Sequence, residues 1–200
     1  MKRRDAIKRM GYAAGFVMVT PTILGILNSC TTEVAKWTPK FLMPEQAEVL
    51  IKLVNVFLPK TSLPSATDVN VPEFIDRYVD EIFTIEDQQI FKAAFGNTMT
   101  KISEHQGIEV LDDIEDSQLK AFLDEHLMVK GEVDTEREAN PDFKGKTTSE
   151  FLNTIKTMTI QAYLTNEKIG EEVLAYEPIP GAYYCGDLKS LTNGKSWSLD

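Results

Sequence analysis

The chain has 200 residues, and its 31 acidic residues outnumber 21 basic ones to give a formal net charge of −10. So acidic a chain lacks the basic footprint of a nucleic-acid binder. Two cysteines and two histidines exclude a disulfide-rich scaffold and any four-cysteine zinc or iron–sulfur site, and leave little for a histidine-based metal centre.

The N-terminus is basic, Met1-Lys2-Arg3-Arg4-Asp5-Ala6-Ile7-Lys8-Arg9, and no charged residue follows until Glu33. A basic region ahead of an apolar stretch is the pattern of an export signal. The length of the stretch alone would allow a membrane span. Gly11, Gly15, Pro21 and Gly25 weaken it as a permanent helix in lipid. Arg3, Arg4, Ile7 and Lys8 resemble the twin-arginine signal, a receptor-read address, with Ala6 where an aromatic is usual. Leu27-Asn28-Ser29-Cys30 resembles a lipobox that departs from the pattern at Asn28. The expectation is a signal peptide over 1–29, a lipidated Cys30, a tether over 30–39 and a single domain over 40–200. The leader carries five basic residues and one acid, so its removal takes the chain from −10 to −14. Export by the twin-arginine route and residence at the periplasmic face of a membrane follow from that reading.

Beyond Pro39 the apolar residues recur with helical period. Ala47, Leu50, Ile51, Val54, Phe57 and Leu58 form one stripe, with Pro44 suited to the first helical position and Pro59 to the stop. Phe74, Ile75, Tyr78, Val79 and Ile82 form a second, expected to pack in the core. A third begins after Thr84, with Asp87 in capping-box position, runs through Phe91, Phe95 and Ile102, and is closed by Gly107. A fourth uses Leu119, Phe122, Leu123 and Leu127 behind an expected cap at Asp116 or Ser117. A fifth follows Thr147-Thr148 with Phe151, Leu152, Ile155, Met158 and Ala162, and a short helix is expected over 166–174. No segment alternates with period two. The fold class expected is all-α: a small irregular bundle of five to seven helices, with long Pro/Gly-containing loops and an extended C-terminal tail. Val129 to Lys146 reads as a long polar surface loop.

Two stretches do not fit a plain bundle. One is the linker 59–70, with Pro59 and Pro64; the other is the tail from 175, with Tyr176, Pro178, Pro180, Gly181, Tyr183, Tyr184, Cys185 and Trp197. Aromatic residues on irregular backbone must dock somewhere, so these residues are candidates for a partner interface. No residues qualify as catalytic, cofactor-binding or metal-binding. His126 lies on the fourth stripe as a core or rim residue, and His105 near a helix C-terminus. There is no Gly-rich nucleotide fingerprint and no haem attachment motif. Twin-arginine cargo is typically folded, often around a cofactor. A chain with the address and no cofactor site is economically explained if it travels with a cofactor-bearing partner.

Three runs then carry a resemblance: Phe57-Leu58-Pro59-Lys60-Thr61 with Pro64-Ser65-Ala66, Val71-Pro72-Glu73-Phe74-Ile75-Asp76, and Tyr176-Glu177-Pro178-Ile179-Pro180-Gly181. Together with the N-terminal Arg3-Arg4 they resemble subunit 3 of gluconate 2-dehydrogenase, the small subunit of flavin-dependent sugar and sugar-acid dehydrogenases. Ser65 stands where that family usually has Gly. The resemblance implies a noncatalytic accessory subunit that assists maturation and export of a GMC-type flavoprotein. FAD is then held by the partner and no cofactor by this chain, and a cytochrome c subunit is a candidate third component. Other readings are a stand-alone periplasmic lipoprotein that binds another protein or ligand, and an enzyme with an unrecognised site. With Cys30 lipidated, Cys185 is left as the odd thiol in an oxidising compartment. The alternatives there are a disulfide to the flavoprotein subunit and a buried, inert cysteine.

Overall fold

The structure, a computed structural model, describes residues 37–107, 111, 114–177, 179, 181 and 185–198. The chain divides after Thr38, and every helix below belongs to the unit Pro39–Asp200. In chain order these are α1 (Pro44–Phe57), a 3-10 turn (Thr67–Val69), α2 (Val71–Ile82), α3 (Ile85–Gln106), α4 (Asp116–His126), α5 (Thr135–Ala139), α6 (Thr148–Leu164), a π-helical segment (Ile169–Val173) and α7 (Leu188–Thr192). Among the described residues there is no strand, only an isolated bridge between Ala175 and Trp197. The bundle is all-α, with seven α-helices among those residues.

Local chemistry sets the ends of the helices. Pro44 opens α1 at a position where its missing N–H costs nothing. The Thr84 hydroxyl accepts from the Asp87 N–H at 3.1 Å, and Gly107 closes α3 at φ 65°. At α6 the Thr147 hydroxyl accepts from the Glu150 N–H at 3.2 Å while Glu150 accepts from the Thr147 N–H at 3.0 Å. The cap of α4 is Glu115, one residue before Asp116 and two before Ser117, the expected caps. The reason is Gln118, whose carbonyl accepts from the Glu115 N–H at 3.0 Å and completes the reciprocal box there.

Helix α6 is the central element and packs against α1, α2, α3 and α4. Phe151 on α6 meets Phe91 and Phe95 of α3, each with ring centroids 5.2 Å apart, and all three side chains are fully buried. Leu50, Leu53, Ile75, Phe122, Leu152 and Ile155 are among the other core side chains. Each such side chain stabilises the fold by roughly 1.5–3 kcal/mol. The buried hydroxyls of Thr98 and Thr159 donate to the carbonyls of Ala94 and Ile155, so neither is stranded.

The approach to α1 is fixed by one carboxylate. Asp76, fully buried on α2, accepts from the backbone N–H groups of Lys40 at 2.7 Å, Phe41 at 3.1 Å and Leu42 at 2.8 Å. One side chain satisfies three backbone donors, of which that of Leu42 is buried away from water.

Two expectations are corrected. Only Ile75 and Val79 of the second stripe reach the core; Phe74, Tyr78 and Ile82 are 48%, 39% and 63% exposed. A stripe of five apolar residues in nine is wider than the face that α6 covers. The polar stretch 129–146 also holds the short helix α5, capped by Asp134, whose carboxylate accepts from the N–H groups of Glu136 and Arg137. Arg137 then forks onto Glu150 through Nε at 3.1 Å and Nη2 at 2.6 Å, and donates to the carbonyls of Phe143 and Gly145. Charged residues that read as solvated here hold the segment to α6.

Candidate functional site

The linker and the tail come together at the C-terminal end of α6. The linker is ordered by its own polar side chains. The Asp68 carboxylate accepts from the Ser65 N–H at 3.0 Å, and the Ser65 hydroxyl accepts from the Asp68 N–H at 3.2 Å. That backbone bond, reinforced by Lys60 at 3.2 Å, holds Asp68 below the usual carboxylate range. Ala66 is completely buried and its N–H donates to the carbonyl of Leu58. Asn70, at φ 57°, turns the chain into α2, a conformation asparagine tolerates better than most residues.

Two hydrogen bonds fasten this loop to α6 and the residues just beyond it. The Tyr163 hydroxyl donates to the carbonyl of Pro64 at 2.8 Å, and the Asn166 amide donates to the carbonyl of Val69 at 3.2 Å. Burial raises the Tyr163 phenol above its ordinary value, and the charge of Asp68 adds to this, so it remains a donor. The chain then passes through the π-helical segment, anchored by the fully buried Ile169.

The tail leaves this anchor as a closed loop. Its foot is fastened where the Ala175 N–H donates to the carbonyl of Ser196 at 2.8 Å and the Ser198 N–H donates to the carbonyl of Ala175 at 3.0 Å. Beyond this foot Tyr176 and Ile179 are exposed, the latter at 85%, and so are Leu188 and Leu191 of α7. Cys185 is a free, exposed thiol. Gly181 and Pro59 are exposed, Pro64 is half-buried against Tyr163, and Trp197 is half-buried at the foot of the loop. Pro178, Pro180, Tyr183 and Tyr184 lie outside the described residues, as do Arg3, Arg4, Ile7, Lys8 and Cys30.

A feature the sequence reading missed adjoins this end of α6. Phe74 and Tyr78 stack at 5.9 Å and, with Met158, Gln161, Ala162 and Thr165, line a largely apolar groove of about 350 Å³. The spacing of Phe74 and Tyr78, four residues apart, was visible, but it also suited a core face. His105 and His126 have ring centroids 6.1 Å apart, His105 Nε2 lies 2.8 Å from Glu125, and the His126 carbonyl accepts from the Ser149 hydroxyl at the start of α6. No group of three or more His, Cys, Asp or Glu side chains among the described residues is placed to hold a metal, and no helix among them is long and apolar enough to cross a membrane.

The family model of gluconate 2-dehydrogenase subunit 3 matches residues 44–181. The chain belongs to this family. The match runs from the first residue of α1, through the linker and every helix up to α6, to Gly181 in the closed loop. Membership makes the chain an accessory subunit of a dehydrogenase complex, and the matched stretch takes in the whole linker 59–70 and the start of the tail, 175–181. Cys185 and α7 lie just beyond it. No curated protein and no solved structure matches the chain.

Proposed function

We propose that this chain is the noncatalytic small subunit of a periplasmic, membrane-associated, FAD-dependent GMC-type dehydrogenase acting on gluconate or a related sugar, and that it assists maturation and twin-arginine export of the flavoprotein. Membership of the subunit 3 family carries the reading. The exposed apolar residues of the loop closed at Ala175 and Trp197, set beside the linker, give it a docking surface. In this reading FAD sits on the catalytic subunit, a cytochrome c completes the complex, and this chain contributes surface and address rather than reacting atoms.

Arg3, Arg4, Ile7 and Lys8 supply the export signal, and Cys30, once lipidated, holds the mature N-terminus at the membrane through the tether that ends at Pro39. Two acyl signals give stable anchoring where one is marginal. Cys185, exposed and free, is oxidised with a cysteine thiol of the flavoprotein to a disulfide after export, the two protons and two electrons passing to the thiol-oxidising disulfide carriers of that compartment.

The deciding experiment is purification of the tagged chain from native membranes. A stoichiometric FAD-containing dehydrogenase should accompany it. Replacing Arg3 and Arg4 by lysine should leave both proteins in the cytoplasm; unchanged periplasmic levels of both would rule out the carrier role. Labelled fatty acid should enter the wild type and not Cys30→Ala. On a non-reducing gel, a heavier band should collapse to two subunits on reduction and be missing in Cys185→Ser.

A further inference from the structure

Three lysines from three separate parts of the chain line one open cleft of about 570 Å³: Lys60 from the linker, Lys168 from the helical residues that lead into the π-helical segment, and Lys195 from the tail. The fold positions each of them. Lys60 lies in the loop held by Tyr163 and Asn166. Lys168 immediately precedes the buried Ile169. Lys195 follows Asn193 and Gly194, two consecutive residues with positive φ (55° and 78°), and its N–H donates to the carbonyl of Thr192. That left-handed pair turns the chain back towards the foot of the loop, which brings Lys195 onto the cleft.

The charges in the cleft are not balanced. Asp68 is committed to Lys60 and to the Ser65 N–H. Glu172 is the other carboxylate on the wall, and Lys168 and Lys195 have no ion-pair partner among the described residues. Three ammonium groups therefore face two carboxylates, on a chain whose net charge is −10. Leu63 and Val173 add apolar surface, and Thr61 and Ser62 add hydroxyls. The cleft is wider than a single carboxylate or phosphate needs. The acidity of the chain opposes nucleic acid and anionic lipid alike.

We propose that this cleft receives a carboxylate-bearing segment of the flavoprotein subunit, with aspartate or glutamate side chains set against Lys168 and Lys195 and an apolar neighbour against Leu63 and Val173. The assignment rests on the accessory-subunit reading and adds the chemistry of the partner. An acidic segment is repelled over most of this protein and attracted here, so the lysines set the register of docking as well as its strength.

The test uses full-length chains carrying Cys185→Ser, so that no covalent bond hides the affinity, co-expressed with the flavoprotein identified by the purification above. Lys168→Glu with Lys195→Glu should weaken the complex about tenfold or more and remove most of its salt dependence between about 50 and 500 mM. Lys168→Arg with Lys195→Arg should bind as wild type. The melting temperature of each variant reports whether it has folded. Should the charge-reversed chain not fold, the glutamine pair takes its place and should weaken binding in the same direction. A folded charge-reversed or glutamine variant that binds with wild-type affinity and wild-type salt dependence overturns the cleft assignment while leaving the accessory role intact. A wild-type chain that captures no flavoprotein overturns the accessory role, and the assignment with it.

Discussion

Asp76 offers the sharpest test of how the approach to α1 is held. Its Oδ1 accepts from Phe41 and Leu42 and its Oδ2 from Lys40, at distances between 2.7 and 3.1 Å, with the carboxylate fully buried. Asp76→Ala removes all three bonds at once. The Lys40 and Phe41 N–H groups lie nearer solvent and can recover water, whereas Leu42 is only 5% exposed and cannot. One buried donor left unsatisfied costs about 1–3 kcal/mol, and the loss of charge-assisted bonds to the other two adds to it, for about 3–5 kcal/mol in all. Asp76→Asn keeps an oxygen for Phe41 and Leu42 but points an amide N–H at that of Lys40, which should cost about 1–2 kcal/mol. At roughly 2–4 °C per kcal/mol for a chain of this size, alanine should lower the melting temperature by about 6–20 °C and asparagine by about 2–8 °C. Thermal and urea unfolding followed by far-UV circular dichroism measure both. If both variants unfold within about 0.5 kcal/mol of wild type, the three bonds do not hold this segment and the reasoning fails.

Other substitutions probe the remaining layers. Phe91→Ala opens a cavity between α3 and α6 and should cost about 3–5 kcal/mol in urea unfolding. Tyr163→Phe removes one bond to the carbonyl of Pro64, should cost about 1 kcal/mol, and should speed proteolytic cleavage within 59–64 more than elsewhere. Burial, with Lys101 and His105 in support and Glu125 and Glu136 opposed, places His126 below its ordinary value of 6.5. The unfolded chain therefore binds that proton first, and stability should fall as the pH drops through about 6.5, levelling once the folded form also titrates. His126→Gln should reduce that slope in melting curves recorded between about pH 7.5 and 5.5. Arg137 holds Glu150 below the usual carboxylate range against the opposing effect of burial, so its share of stability is present at neutral pH and lost as the pH falls below about 4.5. Acid unfolding of Arg137→Met should show less of that loss.

Much of the helical framework was legible in the residues themselves. Pro44, the Thr84–Asp87 pair, Gly107 and the Thr147–Glu150 box fix helix ends through bonds reaching no more than three or four residues, so the local sequence contains all the information needed. The same reasoning slipped by one or two residues at α4 because Asp116 and Ser117 are good caps too, and the decision lay with Gln118. The twelve residues of the linker were recognisably irregular, and the motifs Pro59-Lys60-Thr61 and Val71 to Asp76 carry the family resemblance in the residues themselves.

What the sequence left open depends on which surfaces meet. Phe74 and Tyr78 look as apolar as Ile75 and Val79; only the position of α6 across the bundle sends one pair inward and leaves the other on a groove. Asp134, Glu136 and Arg137 read as solvated charges until α5 folds back and Arg137 reaches Glu150, thirteen residues away in sequence. The linker and tail were each expected at a partner surface. Their union in one cleft is a tertiary fact, since Pro64 meets Tyr163 across 99 residues and Lys195 lines the same cleft as Lys60. Composition and period specify what a segment of chain can become. Burial, ion pairing and the assembly of a binding face are properties of two or more segments together, so they are decided only when the bundle closes.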